Sequence, residues 1–233
     1  MKAPENKTES AVQLFDSTFK TGNLVDLTSS LGEIGVDSLM SCVNLPQVVE
    51  SIPVLGVLVS LTKSVVDIRT FLLTRKVYDF FFGIKEIPIE KRIKFSEEYC
   101  RENREDTAAA LLSILDRMNN RNSVPIICRL MKAKMNDDIS MRDFNRCILA
   151  LERVSYADLD RLSKFEDDYY EEGVSESFES AGLVYQSVID PRNCYGGLKM
   201  KLSRTGRILL AYGLGKMALL DEPRTTRIKS DFA

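Results

Sequence analysis

Histidine and tryptophan are both missing from the chain. Without an imidazole there is no Ser-His-Asp or Cys-His nucleophile system, no His-ligated metal and no imidazole acid or base. Glycine and proline are sparse as well. The 12 Gly and 7 Pro among 233 residues fall below the usual shares of roughly 7% and roughly 5%, which argues against linker-like, collagen-like and turn-dense all-β chains and in favour of helix. Long hydrophobic runs are also lacking. The uncharged stretch from Ser51 to Thr62 is 12 residues, whereas a bilayer-spanning helix needs about 20, and Lys63, Asp67 and Arg69 interrupt any extension.

Cysteine is present but never closely spaced. Cys42, Cys100, Cys128, Cys147 and Cys194 include no pair nearer than 19 positions, so neither a zinc knuckle nor a redox dithiol is legible, and no metal or cofactor is expected. Scattered single thiols in apolar segments suit a reducing cytosol. The first residues carry no apolar core before a small-residue cleavage site, and a cytoplasmic protein is expected, with the inner membrane face as the other place to look.

No sign of charge dominates, since 32 basic and 34 acidic residues give −2. The distribution is uneven, however. Ten acidic residues face only Arg161 and Lys164 between Ser155 and Asp190, while nine basic residues face Asp221, Glu222 and Asp231 from Pro191 onward. Neighbouring segments of opposite charge cancel beyond about 10 Å. The consecutive carboxylates Asp158, Asp160, Glu166, Asp167, Asp168, Glu171 and Glu172 read as a solvated helix end or loop rather than as an acid–base pair or a Mg²⁺ site. Gly213-Leu-Gly-Lys216 lacks the frame of a phosphate-binding loop.

Hydrophobic content of 44% and charged content of 28% describe a chain with one substantial core or two small ones. The pattern along it predicts a mainly α protein. Residues 1–22 form a flexible start with only Val12, Leu14, Phe15 and Phe19 as anchors. Residues 23–139 form a helical region, with apolar spacing over 24–39 and a long apolar helix over 52–84 in which Leu55, Leu58, Leu61, Val65, Ile68 and Leu72 make one stripe. Ile87-Pro-Ile breaks that helix. Ala108, Leu111, Leu112, Leu115 and Met118 mark another, and Ser123 with Pro125 opens a third. Ser140 and Ser155 each begin a capping-box-like sequence. Residues 140–220 are an α+β region with a β-prone run after Gly182, a turn over 191–197, an alternating strand at 198–202 and a final helix capped by Ser203. Residues 221–233 are a tail.

The order helix, helix, "Ala-Gly-Leu-Val", hairpin and "Leu-Ser-Arg-Thr-Gly-Arg-Ile-Leu-Leu" resembles the end of a winged helix-turn-helix domain. Val174 to Leu183, in the place of the groove-reading helix, carries Glu176 and Glu179 and no basic residue, so it repels phosphate. Lys199, Lys201, Arg204 and Arg207 are the candidate nucleic-acid contacts. Ile52, Pro53, Val54 and Gly56, followed by Arg75, Lys76, Val77, Phe80 and Phe81, are similar to small bacterial proteins of the abortive-infection alpha type. That resemblance implies a bacterial origin and a part in phage defence, without specifying a reaction.

The expectation is therefore a non-enzymatic interaction or effector protein. Leu55, Leu58, Val65, Phe80 and Phe81 are the candidate apolar contact, to the chain's own core, a second copy, a protein partner or a membrane surface. The alternative is a winged-helix regulator that binds nucleic acid.

Overall fold

In a computed structural model of the chain, residues 5–21, 24, 68–187 and 199–216 are described. They are mainly helical. Helix α1 spans Glu5–Thr21, α2 Ile68–Ile84, α3 Ile89–Asn103, α4 Thr107–Arg117, α5 Val124–Met135 and α6 Met141–Arg153. A 3₁₀ segment, Tyr156–Glu166, leads to α7 (Val174–Ser180), β1 (Val184–Gln186), β2 (Met200–Leu202) and α8 (Arg204–Ile208), which continues as a π turn over Leu209–Gly213.

The segment expected to be a flexible start is instead helix α1. Its two phenylalanines, one turn apart, explain the difference: Phe15 and Phe19 are buried, and burying two aromatic rings offsets the ordering of a polar helix. Phe15 lies 4.8 Å from Phe81 and 5.7 Å from Phe80 between ring centroids. Phe19 meets Phe95 at 6.4 Å, and Phe95 meets Phe144 edge-on at 5.5 Å. An aromatic ladder thus ties α1, α2, α3 and α6 into one core. Arg92 of α3, 2% exposed, donates from Nη1 to the Phe19 carbonyl at 2.8 Å, placing a cation at the C-terminal end of α1 where the helix dipole favours it.

Helix α2 packs on α5 so closely that a Cβ at Gly83 would stand 2.6 Å from Cys128 Sγ. Lys76, also buried, reaches past α4 and donates Nζ to the carbonyl oxygens of Leu115, at 2.9 Å, and Met118. Burial is the main influence on that amine and lowers its pKa. Lys134 in α5 is paired with Glu98 at 3.0 Å and Asp137 at 3.4 Å. These cations satisfy orphan carbonyls or carboxylates, so their burial does not leave a bare charge.

The expected caps divide. Ser140 Oγ accepts from the Asp143 N–H at 3.1 Å and Ser203 Oγ from the Gly206 N–H at 3.0 Å, whereas Ser155 and Ser123 make no side-chain cap. Asp106, not singled out by the pattern, caps α4 by accepting from the Ala109 N–H at 2.8 Å. After Ser155 the chain winds as a 3₁₀ helix rather than an α-helix. Leu159, Leu162 and Phe165, each buried, recur every third residue and so align on one edge of a three-residue turn.

Strands β1 and β2 pair antiparallel, with Tyr185 opposite Lys201, and Tyr169 bridges to Met200 on the far side of β2. Val184, Met200 and Leu202 face inward. Gly206 lets α8 lie against the chain entering β1, since a Cβ there would stand 2.1 Å from the Leu183 carbonyl oxygen. The expected stripe over 24–39, apart from the buried Leu24, the front half of the 52–84 helix, the 191–197 turn and the 221–233 tail lie outside the described residues.

Candidate interaction surface

The residues proposed for apolar contact separate. Phe80 and Phe81 are 0% and 1% exposed and belong to the aromatic ladder; Leu55, Leu58 and Val65 lie outside the described residues. The large hydrophobic side chains that α2 shows to solvent, among the described residues, are Leu72, 48% exposed, and Phe82, 45% exposed. Phe82 stacks on Tyr78 at 6.2 Å and carries Lys85 over its ring at 4.1 Å. Among the described residues no helix is long and apolar enough to cross a membrane.

The four candidate nucleic-acid contacts are not presented together as free cations. Arg204 holds the buried Asp143 carboxylate with two hydrogen bonds, at 3.1 and 2.9 Å. The Arg204 bond is the largest influence holding the Asp143 carboxyl below its usual value, and Asp143 in turn raises Arg204. Lys201 lies 3.6 Å from Asp168 across the strand edge. Arg207 is partly buried in α8, and Lys199 is exposed just before β2. On α7, Glu176 and Glu179 face solvent, with Glu176 accepting a hydrogen bond from the Tyr170 hydroxyl.

Free cations stand elsewhere, on α6. This helix has the sharpest division of faces: Met141, Phe144, Cys147, Ile148 and Leu151 are buried, while Arg142, Arg146, Leu149 and Arg153 are exposed. Positions i, i+4, i+7 and i+11 share one stripe on a 3.6-residue helix. Asp143 and Glu152, which balance the arginines in sequence, point away from them, one to Arg204 and the other to Arg117 at 2.9 Å. Arg142, Arg146 and Arg153 therefore have no ion pair among the described residues. Leu149, 46% exposed, stands between them.

Beside this stripe runs an open groove of about 400 Å³, lined by Glu102 and Asn103 of α3 and by Arg142, Asn145, Arg146 and Leu149 of α6. The Asn145 amide donates to Asn103 Oδ1 at 2.8 Å, which leaves Asn103 Nδ2 a buried donor without a partner. Arg104, in the left-handed conformation at φ 56°, ends α3. The groove combines guanidinium forks and an aliphatic patch. Reading charge by segment hides this set, because α6 is nearly neutral in sequence; the signal is the i, i+4, i+7, i+11 spacing.

The remaining motifs take structural places. Gly213 closes the π turn, where Arg129 Nε donates to its carbonyl at 2.6 Å, and Lys216 lies 3.6 Å from Asp160. The carboxylates of 158–172 follow the 3₁₀ segment and the next loop, and Arg161 bonds Glu171. Among the described residues no three His, Cys, Asp or Glu side chains converge as a metal set would. Cys128 and Cys147 are buried, and burial pushes both thiols up to about 12. No family model, curated protein or solved structure matches the chain.

Proposed function

We propose that the protein is a non-catalytic interaction protein that takes an acidic protein segment with one apolar anchor in the α3–α6 groove. The observation that carries this reading is the stripe of three arginines, without an ion pair among the described residues, around the half-exposed Leu149. Exposed arginines match carboxylates in bidentate geometry and are weakly hydrated, and an apolar side chain beside Leu149 would shed water on binding. The contact thereby moves from α2, whose Phe80 and Phe81 serve the core, to α6. An effector in phage defence, which the resemblance of residues 52–81 implies, would act through such a contact.

The order α6, 3₁₀ segment, α7, β1, β2, α8 supports reading residues 140–216 as a winged-helix-like region adapted to protein rather than nucleic acid. Lys201 and Arg204 are engaged with carboxylates, and the exposed groups of α7 are acidic. The test is fluorescence anisotropy with a labelled Glu-Glu-Leu-Glu-Glu peptide and, separately, a DNA duplex. Salt-sensitive peptide binding that Arg142→Glu with Arg146→Glu abolishes is expected. Tighter binding of the duplex, or peptide binding indifferent to both substitutions, would overturn the reading.

A further inference from the structure

The chain carries on its own surface a partner of the kind that the groove fits. From the end of the 3₁₀ segment through the next loop and into α7, Glu166, Asp167, Glu172 and Glu179 are exposed and form no ion pair among the described residues. Tyr170, 39% exposed, stands among them, and Tyr185, 49% exposed, lies on the outward side of β1. The loop is held in place from beneath: Phe165 packs edge-on against Tyr169 at 5.1 Å, and Tyr169 pairs with Met200. An acidic, tyrosine-bearing surface on a fixed backbone loses little entropy on docking, and tyrosine and arginine are the residues that dominate protein contacts.

From this charge complementarity we infer that the occupant of the α3–α6 groove is the 166–179 surface of a second copy of the chain. The inference rests on the interaction reading above and names its partner. Two arginine faces repel, and so do two acidic faces, so the contact is not a symmetric pairing of like patches. It joins the arginine face of one copy to the acidic face of the next, a head-to-tail contact that propagates or closes into a ring. Glu102, which also lines the groove, opposes an incoming carboxylate, so the acidic loop would meet the arginines rather than the α3 side.

Head-to-tail contact permits a decisive mixing experiment on the full chain, read by sedimentation and light scattering. Wild type is expected to exceed the monomer mass at least twofold as concentration rises at low salt. It should return to monomer at about 0.5 M salt, where charges more than about 4 Å apart are screened. Arg142→Gln with Arg146→Gln removes one face, and Asp167→Asn with Glu172→Gln removes the other; each variant alone should stay monomeric with unchanged circular dichroism. Mixed one to one, the intact acidic face of the first meets the intact arginine face of the second, and the mixture should reach a dimer and stop. A wild type that stays monomeric at low salt overturns the inference, as does a mixture that stays monomeric. Peptide binding that still depends on Arg142 and Arg146 would then show that the groove reading survives and only the second copy fails. Loss of both removes the two together.

Discussion

Arg204→Met tests whether this cation serves the fold or a phosphate. The substitution removes two charge-assisted hydrogen bonds from Asp143, whose side chain is 7% exposed, while the Arg204 side chain is 63% exposed. At the 2.9 Å between the two groups opposite charges attract by about 6 kcal/mol in an effective dielectric of about 20. Water around the exposed guanidinium screens much of that, and Asp143 keeps the Ser140 hydroxyl as a donor at 2.8 Å, so it is not orphaned. A net loss of about 1–2 kcal/mol follows, or about 3–6 °C in Tm for a chain of this size. The pH dependence has a definite sign. Arg204 holds the folded-state Asp143 carboxyl below its ordinary 3.8, so its contribution is complete above that value and disappears as pH falls through the lowered one. Urea unfolding followed by circular dichroism should show the full difference between wild type and Arg204→Met at pH 7 and a shrinking one below about pH 4. Equal midpoints at pH 7, or a difference that persists unchanged in acid, would show that Arg204 does not hold the Asp143 carboxylate.

Three further perturbations address the core and the thiols. Phe80→Ala empties the centre of the aromatic ladder and should cost about 3–5 kcal/mol in urea unfolding; a loss below about 1 kcal/mol would mean that α1 and α2 are not packed as described. Gly83→Ala, which sets a methyl 2.6 Å from Cys128 Sγ, should cost about 1–3 kcal/mol. Adding Cys128→Ala should recover most of it, whereas strictly additive losses would contradict the close approach. With Cys42 and Cys194 replaced by serine, a thiol reagent at pH 8 should label Cys100 promptly and leave Cys128 and Cys147 unreacted, because both are buried with thiols raised to about 12; three fast thiols would refute this.

Where local chemistry decides the structure, the sequence is readable. Ser140 three residues before Asp143 starts α6, and the spacing of Phe144, Ile148 and Leu151 sets its buried face. The same holds for α4, through Ala108, Leu111 and Leu115, and for the order of β1, β2 and α8. Partners distant in sequence are not readable. The start of the chain looks too polar to be ordered until Phe15 and Phe19 are set against Phe80 and Phe81, about 60 residues away, where tertiary packing overrides propensity. Ser155 suggests an α-helix, but the three-residue recurrence of Leu159, Leu162 and Phe165 favours tighter winding. The candidate site was hidden for a similar reason. Arg142, Arg146 and Arg153 look neutralised by Asp143 and Glu152 along the chain, and only the structure shows those acids turned to Arg204 and Arg117.

The α3–α6 groove is proposed as the contact surface. Its most direct test is an amide-resolved NMR titration of the full chain with the Glu-Glu-Leu-Glu-Glu peptide. Saturable shifts confined to Asn103, Asn145, Arg146, Leu149 and their neighbours on α3 and α6 are expected. Shifts gathered instead around Lys199 and Lys201, or along α2 near Leu72 and Phe82, with the groove unmoved, would contradict it.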